Sequence, residues 1–112
     1  MTDLAEFLLA RIAEDETGAR QAVGDGPASW TARPYWFTAS LSADIPGVTT
    51  DELHLDHAQH IARWDPARVL AECEAKRRVV MFMSDEYHEP EVLGLLALPY
   101  ADHPDYREEW RP

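Results

Sequence analysis

Three histidines follow one another at intervals of three residues, His54, His57 and His60, with a carboxylate between them at Asp56. Residues three apart are neighbours on a helix, and two imidazoles at that spacing can bind one divalent cation such as zinc. His54 and His60 lie about 120° apart around a helix of 3.6 residues per turn, so the third histidine turns away from the first. The completing ligand would come from elsewhere, with candidates at His88, Asp102 and His103.

This spacing makes His57 and His60 the candidate metal ligands and zinc the candidate ion. The alternative is that two histidines are partly buried on an apolar helix face, that one is exposed, and that none binds a metal. No other residue pattern in the sequence indicates a cofactor, so no required cofactor is predicted.

Basic side chains form one cluster, Lys76–Arg78, and Arg68 precedes it on the same predicted helix. Guanidinium and ammonium groups are the usual partners of phosphate. The candidate phosphate-binding residues are therefore Arg68, Lys76 and Arg77. The alternative is that the cluster pairs with the acidic ends of the chain, as Glu72 and Glu74 can already do within the helix.

The single cysteine, Cys73, occupies a core-facing position of that helix, between Glu72 and Glu74. A reactive thiolate needs a nearby cation or a helix N-terminus, and neighbouring carboxylates disfavour it. We therefore expect Cys73 to be a buried structural residue. One cysteine forms no disulfide within the chain, so packing must supply the stability.

The C-terminal tail, residues 99–112, combines aromatic and acidic side chains. Tyr106 and Trp110 are four residues apart and would share one face of a helical turn. That face either packs on the body of the protein or offers aromatic anchors to a partner, since such side chains dominate interface energetics. The candidate interaction residues are Tyr100, Asp102, His103, Tyr106 and Trp110.

The net charge excludes several classes of partner. With 21 acidic and 10 basic residues, the chain carries a formal charge of −11. Such a surface repels nucleic-acid phosphates and anionic lipids. No apolar run approaches the ~18 residues that span a bilayer. The N-terminus is acidic where a secretory signal would be basic and then apolar, which predicts a cytoplasmic protein.

Hydrophobic periodicity predicts one domain over residues 1–112, mainly α with α+β as the alternative. About four helices are expected. The first runs from Asp3, where Asp3 and Glu6 form a capping box, to Ala22, and Gly24–Pro27 ends it. A strand or hairpin of alternating aromatic residues follows within Ser29–Leu41. Pro34 confines any strand through it to a sheet edge, and a turn closes the segment at Asp44–Gly47.

The remaining helices are predicted from cap signals and apolar stripes. The second runs from Thr49, with a capping box to Glu52, to Arg63. The third runs from the Asp65 cap to Met83, and the fourth begins at Pro90. Their expected core residues are Val69, Leu70, Cys73, Val80 and Met81 in the third helix, and Val92, Leu93, Leu95, Leu96 and Leu98 in the fourth.

Residues 97–112 read ALPYADHPDYREEWRP, a long and compositionally unusual stretch. Together with HIAR at 60–63, DPARVL at 65–70, EAKRR at 74–78 and the opening DL-x-x-FL-x-AR pattern, it resembles an uncharacterised family of small actinobacterial and actinophage proteins. The resemblance implies an accessory protein of bacterial or phage origin and supplies no catalytic residues. Trp64 stands where that family has histidine, and residues 81–91 lack its cysteines, so the resemblance argues against a metal site here.

No phosphate-binding glycine loop, nucleophile elbow or metalloprotease motif is present in the sequence. The first functional hypothesis is therefore a non-enzymatic interaction or regulatory protein that docks on a partner protein. The alternatives are a metal-binding protein or small metal-dependent enzyme using the helix-2 histidines, and a nucleotide or phosphate binder. The oligomeric state is left open.

Overall fold

The computed structural model describes residues 1–35, 38–42, 49–84 and 89–112. The helices and strands within them are α1 (Asp3–Val23), β1 (Thr31–Tyr35), β2 (Thr38–Ser42), β3 (Thr49–His54), α2 (Leu55–Arg63), α3 (Pro66–Phe82) and α4 (Pro90–Ala97). Short 3₁₀ turns follow at Leu98–Tyr100 and Glu108–Trp110. The predicted class is confirmed: the fold is mainly α, with a β element between the first two helices.

The chain divides into two compact units. The first unit comprises Met1–Asp15 and Glu72–Pro112, and the second comprises Glu16–Ala71. Helices α1 and α3 each contribute residues to both units. A single domain over the whole length stays a prediction, and each unit is described by itself below.

The N-terminal cap of helix α1 lies one residue earlier than predicted. The hydroxyl of Thr2, and not Asp3, accepts the N–H of Ala5 at 3.2 Å, and Asp3 is already helical. A threonine hydroxyl satisfies a free amide of the first turn as well as a carboxylate does. The helix ends at Val23 because Gly24 adopts a φ of 54°, a left-handed conformation that favours glycine.

The core of the first unit is built from α1, α3 and α4. Its largest fully buried side chains are Leu8, Ile12 and Val80. Cys73 is also buried, as predicted. The prediction that Met81 belongs to the core face of α3 is wrong, because this side chain is 38% exposed. Val69 and Leu70, which belong to the second unit, are half-buried.

Helix α4 begins at Pro90, as predicted, and buries a narrower face than its leucine content suggests. Leu93 and Ala97, four residues apart, are buried, whereas Leu95 is 55% exposed. At 100° per residue, Leu95 lies on the opposite side of the helix from the pair that packs. The prediction that Leu95 belongs to the core is therefore wrong.

The second unit contains an antiparallel sheet with the order β1-β2-β3. Strand β1 pairs with β2 from Thr31 opposite Ser42 to Tyr35 opposite Thr38. Pro34 therefore lies in an edge strand, as its missing N–H requires. The predicted turn at residues 44–47 and the aromatic residues 36 and 37 lie outside the described residues.

Strand β3 corrects the predicted start of the second helix. Residues 49–54 pair with β2, and helix α2 begins at Leu55 and not at Thr49. The Thr49–Glu52 spacing fits a capping box, but threonine also favours strands, and pairing with β2 satisfies the backbone groups of the segment. The side chain of His54 caps α2 by accepting the N–H of Asp56 at 3.2 Å.

Asp65 organises the junction between α2 and α3. It is 9% exposed, and its two carboxylate oxygens accept the backbone N–H groups of Arg68 and Trp30, each at 2.9 Å. Pro66 follows as the first helical residue, where its missing N–H has no consequence. The predicted cap of α3 is confirmed, and the same carboxylate also fixes the chain before β1.

Candidate functional site

The aromatic side chains of the C-terminal tail surround one residue of α1, Phe7, which is 7% exposed. The centroid of its ring lies 5.0 Å from that of Trp110, 5.7 Å from that of His103 and 6.0 Å from that of Tyr106. Tyr106 and Trp110 contact each other edge to face at 5.8 Å. The tail is therefore packed on α1 through three of the five predicted interaction residues.

Arg11, one turn after Phe7, lies under the tail and is 9% exposed. Its guanidinium donates to Nδ1 of His103 at 2.8 Å and to Oε1 of Glu14 at 2.9 Å. The N–H of Asp105 also donates to Nδ1 of His103, at 3.0 Å. The same guanidinium nitrogen of Arg11 also contacts Nε2 of His103, so it lies against both nitrogens of the imidazole ring.

Tyr100 joins the start of the tail to α1. Its hydroxyl donates to Oδ2 of Asp15 at 2.6 Å. Burial raises the pKa of the Tyr100 hydroxyl well above its ordinary value, and the hydrogen bond to the ionised Asp15 raises it further. Tyr100 therefore stays protonated in the folded protein at any physiological pH.

The carboxylates of the tail face solvent. The side chains of Asp105, Glu108 and Glu109 are 72–76% exposed, and Asp102 is also exposed. Arg111 donates to Glu108 at 2.5 Å, and this hydrogen bond lowers the pKa of the Glu108 carboxyl group. Exposed pairs of this kind contribute little to stability, because solvent screens the two charges.

The tail lies close to helix α4 at Gly94. A Cβ atom at this position would lie 2.6 Å from the backbone oxygen of Trp110 and 3.5 Å from Cδ of Pro112. A groove of about 250 Å³ lies beside this contact. Its walls are Thr2, Asp3, Leu4, Pro90, Leu93, Arg107, Glu109 and Trp110.

Sequence reasoning missed Phe7, Arg11 and Gly94 as partners of the tail. Phe7 has helical spacing with Leu4 and Leu8, which indicates a buried position but not what covers it. Arg11 carried a signal that was overlooked, since it falls between Leu8 and Ile12 on the buried face of α1. A charged residue in such a stripe requires a polar partner, and His103 supplies it.

The histidines of α2 are placed differently from the prediction. His54, His57 and His60 are all exposed, so the expectation that two are partly buried is wrong. The rings of His54 and His57 are 5.3 Å apart, whereas His60 faces the ring of Trp64 at 6.5 Å. Within the described residues, no three metal-binding side chains come together. A metal role of His57 and His60 stays a prediction.

The basic cluster of α3 pairs locally. Glu74 contacts Arg77 at 3.5 Å and Arg78 at 3.0 Å, which is the part of the alternative that lies within the helix. Lys76 is half-buried. Arg68 belongs to the second unit, where its guanidinium carbon lies 4.2 Å above the Trp64 ring. Phosphate binding by the three residues as one set stays a prediction.

A second depression, of about 520 Å³, lies at the corner between α2 and α3. It is lined by Asp56, Gln59, His60, Arg63, Trp64 and Arg68. The lining includes one predicted metal ligand and one predicted phosphate-binding residue.

A family model matches residues 1–112, the whole of the sequence. The chain belongs to DUF6221, a family of unknown function. The predicted membership of an uncharacterised family is thereby confirmed. Comparisons with curated proteins and with solved structures give no significant match. Among the described residues, none of the helices is long and apolar enough to cross a membrane.

Proposed function

We propose that this DUF6221 protein is a non-enzymatic interaction protein, of bacterial or phage origin, that docks on a basic surface of a partner protein through its tail. The observation that carries the proposal is the packing of the tail on Phe7. Three aromatic contacts fix the backbone of the tail, and its carboxylates point into solvent. A fixed array loses less entropy on binding than a free tail does.

The packing on Phe7 also changes which tail residues would touch the partner. The rings of His103, Tyr106 and Trp110 face Phe7, and Tyr100 binds Asp15. We therefore assign them the role of holding the tail in place. The groups that would contact the partner directly are the exposed carboxylates of Asp102, Asp105, Glu108 and Glu109.

The distribution of charge favours this unit of the chain over the other. The segments 1–15 and 72–112 hold fourteen acidic and six basic residues, whereas 16–71 holds seven and four. A partner with a basic surface is attracted to the first unit, and this attraction speeds association and weakens as salt is added. Nucleic acids and anionic membranes carry the wrong sign of charge for such a surface.

Affinity capture with charge-neutral variants tests the proposal. The tail variant carries Asp102→Asn, Asp105→Asn and Glu109→Gln, which remove three charges and leave the ring contacts in place. We expect it to lose a basic partner that the unaltered protein recovers at about 50 mM salt. We also expect the recovery of the partner to fall as salt rises towards 0.5 M, where interactions between exposed charges more than about 5 Å apart are largely screened.

A control variant removes the same number of exposed charges elsewhere, with Asp25→Asn, Glu74→Gln and Glu91→Gln. Recovery of the partner by the control and not by the tail variant supports the proposal. Equal recovery by both variants contradicts it, as does a partner whose capture is unaffected by salt. Circular dichroism of both variants verifies that the fold is retained.

A further inference from the structure

The groove beside Gly94 is lined by side chains of the hydrophobic core. The start of α1, the first half of α4 and the end of the tail form its walls, and all three segments belong to the first unit. Leu4 and Leu93 are 7% and 3% exposed, and the ring of Trp110 beside them is half-buried. The groove therefore offers an apolar surface whose side chains are fixed by packing.

Polar contacts hold the rim of the groove in place. Arg107 of the tail donates to Oδ2 of Asp3 in α1 at 3.0 Å. The guanidinium carbon of Arg107 also lies 5.3 Å from the centroid of the Trp110 ring, which is a cation–π contact. These contacts join the tail to α1 at the groove, so its shape exists before a partner arrives. A preformed site loses less entropy on binding than one that must be ordered.

The size of the groove suits one side chain. Its volume is about 250 Å³, whereas sites that enclose a whole small molecule usually exceed about 300 Å³. In protein interfaces, a few side chains that fill such pockets supply most of the binding energy. The apolar surface of the groove therefore fits a single apolar anchor from a partner protein.

The charge around the groove indicates what must flank that anchor. The segments that line it hold four acidic residues and one basic residue, a net charge of −3, within residues 2–4, 90–93 and 107–110. All four acidic residues are exposed. Two of them, Glu108 and Glu109, are among the carboxylates proposed to contact the partner. Basic residues on either side of the anchor would complement this rim, whereas a second copy of this chain, with its charge of −11, would be repelled.

We propose that the groove binds one leucine-sized side chain of the partner, presented between basic residues of an exposed segment. Leu4, Leu93 and Trp110 contact this side chain, and the carboxylates of Asp3 and Glu109 face the cations beside it. The inference rests on the proposed docking of the tail and adds the anchor that fixes the position of the partner.

NMR titration of the ¹⁵N-labelled full chain with synthetic peptides tests the groove at constant ionic strength. The probe is a pentapeptide with leucine between two pairs of lysines, acetylated and amidated at its ends. One comparison peptide has glycine in place of leucine, and the other has glutamates in place of the lysines. We expect a saturable shift of the Trp110 indole N–H with the probe, about ten-fold weaker binding of the glycine peptide and no saturation with the glutamate peptide.

Leucine variants of α4 locate the binding. Leu93→Ala removes part of the apolar surface and should weaken binding of the probe several-fold, with little effect on the glycine peptide. Leu95→Ala is the matched control, because Leu95 lies on the same helix, is 55% exposed and does not line the groove. It should leave the affinity unchanged. Nuclear Overhauser contacts between the leucine methyl groups of the probe and the Trp110 ring locate the anchor in the unaltered protein, where no variant has to fold.

Several results would overturn the proposal. The absence of saturation up to about 20 mM probe excludes a site of useful affinity, on the order of millimolar. Equal affinity for the leucine and glycine peptides removes the anchor and leaves the docking of the tail intact, because both peptides carry four lysines. Equal affinity for the lysine and glutamate peptides contradicts a basic partner, and with it the docking itself. Equal weakening by Leu93→Ala and Leu95→Ala places the binding outside the groove.

Discussion

Replacement of Gly94 by alanine probes the contact between the tail and α4. The added methyl group would lie 2.6 Å from the backbone oxygen of Trp110, where ordinary contact begins at 3.4 Å. The backbone of the tail at Trp110 must therefore move away from α4 by roughly 0.8 Å. This movement disturbs the packing of the Trp110 ring on Phe7. Overpacking of this kind destabilises by about 1–3 kcal/mol.

The same substitution also has a favourable effect that must be subtracted. Alanine stabilises a helix interior by about 1 kcal/mol relative to glycine. The net change at Gly94 is therefore a loss of about 0–2 kcal/mol in the free energy of unfolding. Gly18 provides the matched control, because it is exposed within α1 and a Cβ there meets no atom within 4 Å. Gly18→Ala should stabilise by about 0.5–1 kcal/mol.

Urea unfolding followed by far-ultraviolet circular dichroism measures both variants against the unaltered protein. The expected result is a difference of about 1–3 kcal/mol between the two alanine variants, with Gly94→Ala the less stable. If Gly94→Ala stabilises the protein as much as Gly18→Ala does, the tail does not lie against α4. The reasoning about tail packing would then be refuted.

Three further substitutions test individual contacts. Phe7→Ala should destabilise the protein by about 3–5 kcal/mol, since a buried ring with three aromatic neighbours is lost. It should also move the NMR signal of the Trp110 indole N–H, and an unmoved signal would contradict the packing of Trp110 on Phe7. Tyr100→Phe should flatten the loss of stability above pH 10. The raised pKa means that the folded protein keeps a proton which the unfolded chain releases there, so the unaltered protein should lose stability more steeply with pH than the variant does. Parallel pH profiles would exclude that linkage. Asp65→Ala should destabilise by about 1–3 kcal/mol by removing the acceptor of two backbone amides. Asp65→Asn should restore only part of this loss, because the asparagine amide has one acceptor oxygen and Asp65 uses two; equal losses in urea unfolding would contradict the capping role.

Local signals made much of the fold predictable. The cap at Asp65 and the prolines at positions 66 and 90 determine where α3 and α4 begin, because their effects act within one turn. Gly24 ends α1 for the same reason. Thr49–His54 was misassigned because a capping box and a strand look alike locally, and only pairing with β2 decides between them.

The candidate sites were less predictable, since they depend on contacts between distant residues. The mixture of rings and carboxylates in the tail led to its prediction as an interaction site, and that role stays a prediction. Its partners Phe7 and Gly94 could not be inferred from the sequence. Neither a phenylalanine nor a glycine indicates which distant segment of the chain will pack against it. The junction of α2 and α3 was predicted, but the meeting of Arg63 and Arg68 there depends on how the chain turns at Trp64 and Asp65.

Carboxylate-to-amine cross-linking tests the proposed docking of the tail most directly. A carbodiimide joins a carboxylate to a lysine amine only when the two groups are in contact, and this chain has a single lysine, Lys76, so few internal products can form. In a fresh lysate of cells that make the protein, mass spectrometry should find Asp102, Asp105 or Glu109 joined to lysine residues of another protein. Products confined to carboxylates outside the tail, such as Asp25 or Glu91, would contradict the account.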